Sequence, residues 1–133
     1  MNKNTVVRFV IMIAFMMSSF AFPQLDVLDN VASAIRNGNS KEVAKYFDNN
    51  VEITILERES SYSKTQGEMI LRDFFSKNQV QGFDLKHRGT SGEGSSYGIG
   101  TLKTPAQSFR VYYFVKQKGT QQLIQEMRFE KQN

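Results

Sequence analysis

The sequence predicts a single α+β domain in which N-terminal helices pack on a strongly bent antiparallel sheet. Apolar residues recur at helical spacing in the N-terminal half of the chain and alternate with a period of two in the C-terminal half. Two glycines, Gly98 and Gly100, interrupt one of the predicted strands, where they favour a sharp bend. These observations predict the element order α-α-β-α-β-β-β-β.

Residues 1–21 differ from the rest of the chain. Lys3 and Arg8 precede an uninterrupted apolar run, residues 9–17, and Ser19 and Ala21 place small side chains at the −3 and −1 positions of a cleavage site. This pattern is typical of a secretory signal peptide cleaved after Ala21. The alternative is a transmembrane anchor, but the run is shorter than the roughly 20 apolar residues that span a bilayer. We therefore expect a signal peptide at 1–21, a domain at 22–133, no stable membrane anchor after cleavage, and a location in the periplasm or outside the cell.

Composition limits the function of this domain. Removal of Lys3 and Arg8 with the signal peptide lowers the formal net charge from +4 to +2, and the remaining basic residues are interleaved with glutamates. Nucleic-acid binding calls for a concentrated basic stripe, so the sequence predicts no nucleic-acid partner. The chain has no cysteine and one histidine, too few soft ligands for a transition-metal site, and it predicts neither a metal nor a cofactor. Without disulfides, the exported domain depends on its hydrophobic core.

The N-terminal half reads as three helices around one strand. The segment "LDVLDNVASAIR" has one apolar face and ends at Asn37-Gly38, and "NSKEVAKYF" forms a second, short helix. "VEITILE" alternates as a strand does. The segment "ERESSYSK" reads as a polar loop, after which Thr65 and Glu68 have the spacing of a capping box for the third helix.

The C-terminal half reads as four strands with apolar residues at odd positions. In the last two strands these odd positions are Phe109, Val111, Tyr113, Val115, Leu123, Gln125, Met127 and Phe129. If both sets share a face, the paired residue numbers must add to an even number. A three-residue loop at 117–119 satisfies this condition, pairing Tyr113 with Leu123 and Arg110 with Glu126.

The stretch "KHRGTSGEGSSYGIG", residues 86–100, contains five of the nine glycines. A phosphate-binding loop leads from a strand into a helix, whereas these glycines lead from one strand into another and lack the spacing of a dinucleotide fingerprint. We interpret Gly89 to Gly94 as a hairpin connection. Gly98 and Gly100 would then bend the sheet around its odd-numbered face.

The order of elements resembles the nuclear-transport-factor-like superfamily, also called cystatin-like α+β cones. The opening "AIRNGNSKEVAKYFDNNVEI" is similar to the usual start of that superfamily. The segments "YSKTQGEMILRDFF", "FDLKHRGTSGEGSSYGIGTL" and "FRVYYFVK" are similar to a family of small exported Gram-negative domains of unknown function. The resemblance implies a cone-shaped single domain. Enzymes of the superfamily use acidic residues and a tyrosine deep in the cone, and no matching set is found in this chain.

A bent sheet would bring polar tips together inside the cone. His87, Tyr97, Tyr113 and Gln125 lie on the predicted odd-numbered face, where polar groups on an apolar wall can orient a small, partly apolar ligand. Tyr62, in the loop before the third helix, could cover the mouth. The alternative for each residue is an ordinary place in a closed core.

The even-numbered face of the last two strands predicts a different surface. Apolar groups there lie beside paired charges: Arg110, Tyr112, Phe114, Ile124 and Glu126. Such a surface suits a homodimer or another protein partner, and the resemblance points the same way. The alternative is an ordinary half-solvated face.

The sequence favours an exported, non-catalytic module that binds a small ligand or a protein. Enzymatic activity stays open: an isomerase or hydratase would use His87 or Tyr113 as acid or base. A purely structural envelope protein is the third alternative. A dry core filled by Phe83, Phe109, Met127 and Phe129 would favour that alternative.

Overall fold

The computed structural model describes Lys3 and residues 26–133. The predicted signal peptide, apart from Lys3, lies outside the described residues. No helix of the described part of the chain is long and apolar enough to cross a membrane. The elements, in chain order, are α1 Val27–Arg36, α2 Ser40–Ala44, β1 Phe47–Ile55, β2 Arg58–Ser63, α3 Lys64–Lys77, β3 Gly82–Thr90, β4 Ser96–Lys103, β5 Ser108–Lys118 and β6 Gln121–Lys131.

The six strands form one curved, unclosed sheet in the order β2-β1-β6-β5-β4-β3. The predicted α+β class, with N-terminal helices on a bent sheet, is confirmed. The sheet is mixed rather than wholly antiparallel, because β1 runs parallel to β6 while the other four neighbouring pairs are antiparallel. This parallel pair joins the first hairpin of the chain to the four-stranded meander that ends it.

One strand was missed by the sequence analysis. Residues 58–63, read above as a polar loop, form β2, which pairs with β1 through a two-residue turn at Leu56-Glu57. Every residue of β2 except Tyr62 is exposed. An edge strand with both faces in water carries no alternation of apolar and polar residues, so its sequence lacks the usual strand signal.

The helices begin where side chains can cap them. Asp26 accepts a hydrogen bond from the amide of Asp29 at the start of α1. At the start of α3 the capping box consists of Ser63 and Gln66, so the predicted box of Thr65 and Glu68 is wrong by two residues. The reason is that β2 continues directly into α3 and places Ser63 at the N-cap.

In β4 the even-numbered residues face the core, whereas the sequence predicted that the odd-numbered residues would do so. The β4–β5 connection contains four residues, 104–107, so Lys103 pairs with Ser108 and even residues of β4 lie opposite odd residues of β5. Gly98 and Gly100 therefore face the core with Tyr113 and Val111. We call this helix-facing side the inner face and the opposite side the outer face.

A β-bulge changes the face of β3 in the same way. Leu85 pairs with Gly100 on the inner face, but His87 pairs with Ile99, so Lys86 is the extra residue. An extra residue shifts every later side chain to the opposite face. His87 therefore lies on the outer face, contrary to the prediction.

The observed register of β5 and β6 differs from the predicted register by four residues. The turn contains two residues, Gly119 and Thr120, and a second bulge at Gln125 restores the even pairing beyond it. Tyr113 consequently pairs with Met127 rather than Leu123. Arg110 pairs with Glu130 rather than Glu126, and forms a salt bridge with it at 3.5 Å.

The core lies between the inner face and the three helices. Phe74 of α3 packs against Phe109 and Phe129, with ring centroids 5.2 and 4.7 Å apart. Arg36 of α1 donates from Nε to the carbonyl of Phe83 at 3.0 Å, which attaches this helix to β3. The four residues expected to fill the core are all buried: Phe83, Phe109, Met127 and Phe129.

Tyr113 closes one end of this core. Its side chain is completely buried, and its hydroxyl donates to the carbonyl of Leu28 in α1 at 2.7 Å. The ring occupies the space beside Gly98, where an added Cβ would lie 2.7 Å from Tyr113 Cζ. Gly98 is thus required for the close approach of the ring to β4.

We expect Gly98→Ala to lower the free energy of unfolding by about 1–3 kcal/mol, the usual cost of overpacking a core. The added methyl group would displace the Tyr113 ring and strain its hydrogen bond to Leu28. Gly82→Ala is the matched control, since no atom lies within 4 Å of its added Cβ. Urea unfolding of both variants checks this, and equal stabilities of the two would contradict it.

Candidate functional site

An open cleft of about 900 Å³ lies between α3 and the strand ends opposite Tyr113. Its lining is apolar at the centre and charged at the rim. The apolar residues are Ile53, Ile55, Leu56, Tyr62, Ile70, Phe74 and Phe109. This combination of size and lining is typical of a site for a small, partly apolar molecule.

The cleft forms because α3 crosses the sheet at a distance set by large side chains. Near the start of α3, Gly67 brings the helix close to β1, where an added Cβ would lie 3.0 Å from Phe47 and Val51. Further along the helix, Phe74 and Ile70 face the cleft. The C-terminal half of α3 and the β1–β2 hairpin therefore form its opposite walls.

Leu56 forms an unusual lip on this cleft. It occupies the first position of the β1–β2 turn with φ 57°, in the left-handed region that a leucine rarely adopts, and 45% of its surface is exposed. A two-residue hairpin turn needs a positive φ at its first position, and a leucine adopts that conformation only with strain. Leu56 falls in "VEITILE", the segment predicted to be a strand, and no glycine, proline, asparagine or aspartate marks the turn in the sequence.

The rim of the cleft carries both signs of charge. Basic and acidic residues contribute equally: Arg58, Lys77, Lys131, Glu57, Asp73 and Glu130. Lys77 pairs with Asp73 at 3.0 Å, one helical turn apart on α3. None of these residues was predicted to belong to a site, because α3, β2 and the end of β6 meet only in the folded chain.

Of the five residues predicted to contact a ligand, Tyr62 alone lines the cleft. It lies on β2 opposite Val51 and is half-buried against the core. Tyr113 closes the other end of the core, where burial raises the pKa of its hydroxyl. The structure does not bring these two tyrosines together.

His87 and Tyr97 lie on the outer face. His87 pairs with Ile99 and is exposed, and Tyr97 covers Gly89 and contacts Tyr112 with ring centroids 6.3 Å apart. The prediction that they share a pocket with Tyr113 is therefore wrong. Both were displaced by the changes of face at Lys86 and in the β4–β5 connection.

Gln125, the bulged residue of β6, belongs to a polar cluster at the start of β1. Its amide donates to Asp48 Oδ2 at 3.0 Å, and Lys118 forms a salt bridge with the same carboxylate. Asp48 is buried, and the hydrogen bond from Lys118, followed by that from Gln125, lowers its pKa to about 2. Through Gln125 and Lys118, this cluster connects the β5–β6 hairpin to Asp48 of β1.

The predicted dimer surface is mostly on one face. Four of its five residues lie on the outer face: Arg110, Tyr112, Phe114 and Glu126. Their partners in the sheet are, in the same order, Thr101, Ile99, Tyr97 and Phe114. Ile124 is completely buried in the core, so its assignment to this surface is wrong. The bulge at Gln125 reverses its direction relative to Glu126.

Metal chemistry receives no support from the geometry. Among Lys3 and residues 26–133, no three His, Cys, Asp or Glu side chains are grouped so that they could hold a metal ion. The carboxylates of the cleft come from different walls.

A family model described as a domain of unknown function, DUF4783, matches residues 28–130. The chain belongs to the DUF4783 family. Two solved DUF4783 structures are similar to it. The protein from Bacteroides ovatus is 35% identical, with a TM-score of 0.76 over 82% of this chain and 96% of that chain. The protein from Bacteroides uniformis is 30% identical, with a TM-score of 0.77 over 81% and 99%.

More distant structures confirm the predicted fold. A domain of unknown function with a cystatin-like fold from Nostoc punctiforme is 11% identical, with a TM-score of 0.60 over 80% of this chain and 73% of that chain. A substituted chain named Rd1NTF2_05 has the same fold at 13% identity, with a TM-score of 0.60 over 77% of this chain and 92% of that chain. No curated protein matches this DUF4783 chain significantly.

The Asp48 cluster predicts acid sensitivity of this DUF4783 domain. Because the folded pKa lies below the ordinary value of 3.8, ionised Asp48 stabilises the fold above about pH 4, and this contribution disappears as the pH falls towards 2. Allowing for screening at the half-exposed Lys118, we expect about 1–2 kcal/mol. Asp48→Asn should lower stability at neutral pH and flatten the pH dependence between 4 and 2.

Thermal unfolding from pH 2 to 7 measures this effect. Asp84→Asn is the control, since Asp84 is exposed and its salt bridge with Lys103 is long, at 3.8 Å. An unchanged pH profile in Asp48→Asn would show that the cluster does not stabilise the fold.

Proposed function

We propose that this DUF4783 protein is an exported, non-catalytic domain that binds a small, partly apolar ligand in the cleft under Leu56. The observation that carries the proposal is the contrast between the two ends of the inner face. One end is filled by Tyr113, while the other leaves a cleft of about 900 Å³ with an apolar centre. The four buried core residues named above also fit a purely structural domain, but they leave the cleft open, and an open apolar cleft favours binding.

The geometry supports binding over catalysis. The two residues considered as acid or base, His87 and Tyr113, do not line the cleft. His87 is exposed on the outer face, and the Tyr113 hydroxyl is already engaged with Leu28. An acid or base must lie within hydrogen-bond reach of its substrate, and neither residue is near the space a substrate would occupy.

The first 21 residues support export, with Lys3, Arg8 and the small-residue site at Ser19 and Ala21. We propose that cleavage leaves the domain in the periplasm or releases it from the cell. Fractionation with N-terminal sequencing of the purified protein tests this. A protein retaining its first residues in the membrane fraction would contradict it.

Leu56→Gly separates binding from stability. Glycine adopts the left-handed turn without strain, so the free energy of unfolding should stay constant or rise by up to about 1 kcal/mol. Loss of the apolar lip should weaken binding of the neutral fluorescent probe N-phenylnaphthylamine by about fivefold, as expected from the contact area of a partly buried leucine. Fluorescence titration and urea unfolding measure the two quantities.

Leu56→Met is the matched control, because it retains an apolar side chain at the lip and should keep the affinity of the original protein. A protein that binds no neutral apolar probe, or a Leu56→Gly variant that binds the probe as tightly as the original protein, would contradict the assignment of the cleft.

The outer face supports a second proposal, that two copies of the domain associate through it. Four half-buried apolar side chains lie together on β4 and β5: Tyr97, Ile99, Tyr112 and Phe114. We call these four residues the outer patch. Arg128 covers one side of it, with its guanidinium carbon 5.3 Å from the Tyr112 ring centre, and Glu126 pairs with Arg128. Apolar groups with a charged rim are typical of an interface.

Phe114→Glu should convert such a dimer to a monomer, because the new charge would be desolvated in the interface. Sedimentation velocity at several protein concentrations measures the change. Ser33→Glu, which adds the same charge on the exposed side of α1, should leave the association unchanged. An original protein that is monomeric throughout, or a Phe114→Glu variant that still dimerises, would exclude the outer patch.

A further inference from the structure

The charges around the cleft are unequally neutralised. Of its six charged residues, Lys77 and Asp73 pair with each other, and Glu130 pairs with Arg110 of the neighbouring strand. In the part of the chain that the structure describes, no ion pair engages the other three, Arg58, Lys131 and Glu57. The rim therefore carries two uncompensated positive charges and one uncompensated negative charge.

The two cations flank the apolar centre on the same side of the sheet. Arg58 lies directly opposite Ile55, and Ile55 lies beside Phe129 in β6. Lys131 follows two residues after Phe129 and pairs with Phe109. Both cations therefore project from the inner face at the open end of the cleft.

Strand spacing gives the separation of these cations. Arg58 and Lys131 are two strands apart and offset by two residues, which corresponds to about 12 Å between their backbones. Both side chains are long and flexible, so their charged ends can converge on one anionic group between them. Glu57, in the turn beside Leu56, offsets one of these two cations. The unpaired charges of the rim therefore leave a local excess of one positive charge.

We propose that the ligand of the cleft is a single-chain amphiphilic carboxylate, whose acyl chain lies against Ile70 and Phe74 and whose carboxylate lies between Arg58 and Lys131. This inference rests on the proposed binding function and names the class of ligand. A guanidinium can bind a carboxylate through two parallel hydrogen bonds, and a lysine adds a point charge. The net excess of one positive charge matches one carboxylate, and the apolar centre excludes a ligand that is charged throughout.

Matched probes test the class of ligand on the purified protein after removal of bound lipid. Decanoate, decanol and decyltrimethylammonium share one alkyl chain and differ in head group, and isothermal titration calorimetry below their aggregation limits gives the affinities. We expect decanoate to bind at least about fivefold more tightly than decanol, and decyltrimethylammonium to bind most weakly. Added salt should weaken decanoate binding and leave decanol binding unchanged.

Variants of the two cations locate the effect. Arg58→Gln and Lys131→Gln should each weaken decanoate binding by about two- to fivefold, the range expected for exposed charge pairs, and should not change decanol binding. Lys116→Gln is the control, because Lys116 is exposed near the opposite end of β5 and does not line the cleft. It removes the same charge and should have no effect on either probe.

The remaining outcomes separate the two proposals. Equal affinities for the three head groups, or decanoate binding unaffected by both cation variants, would overturn the amphiphilic carboxylate and leave a cleft that binds apolar molecules. Failure of all three probes and of N-phenylnaphthylamine to bind the folded protein would overturn the binding function itself.

Discussion

The fit of Tyr113 beside Gly98 is the interaction on which the rest of the architecture depends. The ring needs a strand without a side chain at position 98, and the hydroxyl needs the Leu28 carbonyl of α1. Together these contacts fix the distance between the first helix and the centre of the sheet. A buried hydroxyl without such a partner would lower the free energy of unfolding by about 1–3 kcal/mol. The helix and the ring therefore hold each other in position. The cone is closed at this end.

The opposite end stays open for a related reason. Helix α3 approaches β1 at Gly67, and its later residues must accommodate the rings of Phe74, Phe109 and Phe129. The hairpin β1–β2 extends beyond these rings with Leu56 at its tip. The aromatic layer supports the cleft from below and does not fill it. The same inner face thus provides both the stabilising core and the candidate site.

Much of the fold could be predicted from the sequence, because apolar periodicity in helices and strands is a local property. Helix α1 ends at Asn37-Gly38 and the last four strands follow one another as expected. The direction of individual side chains could not be predicted. Bulges at Lys86 and Gln125 and an even-numbered β4–β5 connection each reverse a face, and none has a reliable local signal.

These reversals explain why the residues of the predicted site lie apart in the structure, although the predicted fold class was correct. His87 and Tyr97 lie on the outer face and Ile124 lies in the core. Of the residues predicted to contact a ligand, Tyr62 alone lines the cleft. The cleft is built instead from segments distant in the chain, the β1–β2 turn, α3 and the end of β6. Its residues have no common motif because their proximity comes from the strand order, in which β6 is inserted between β1 and β5.

Under the proposed function, the exposed Leu56 and the unpaired cations of the cleft have one role in common. An exposed leucine and two unpaired positive charges at one cleft each raise the free energy of the empty domain. An amphiphilic carboxylate would offset both costs, since its chain covers the leucine and its head group neutralises the cations. A neutral apolar molecule would offset only the first, and an inorganic anion only the second. The coincidence of the two features at one cleft is therefore the argument for a ligand that has both an apolar and an anionic part.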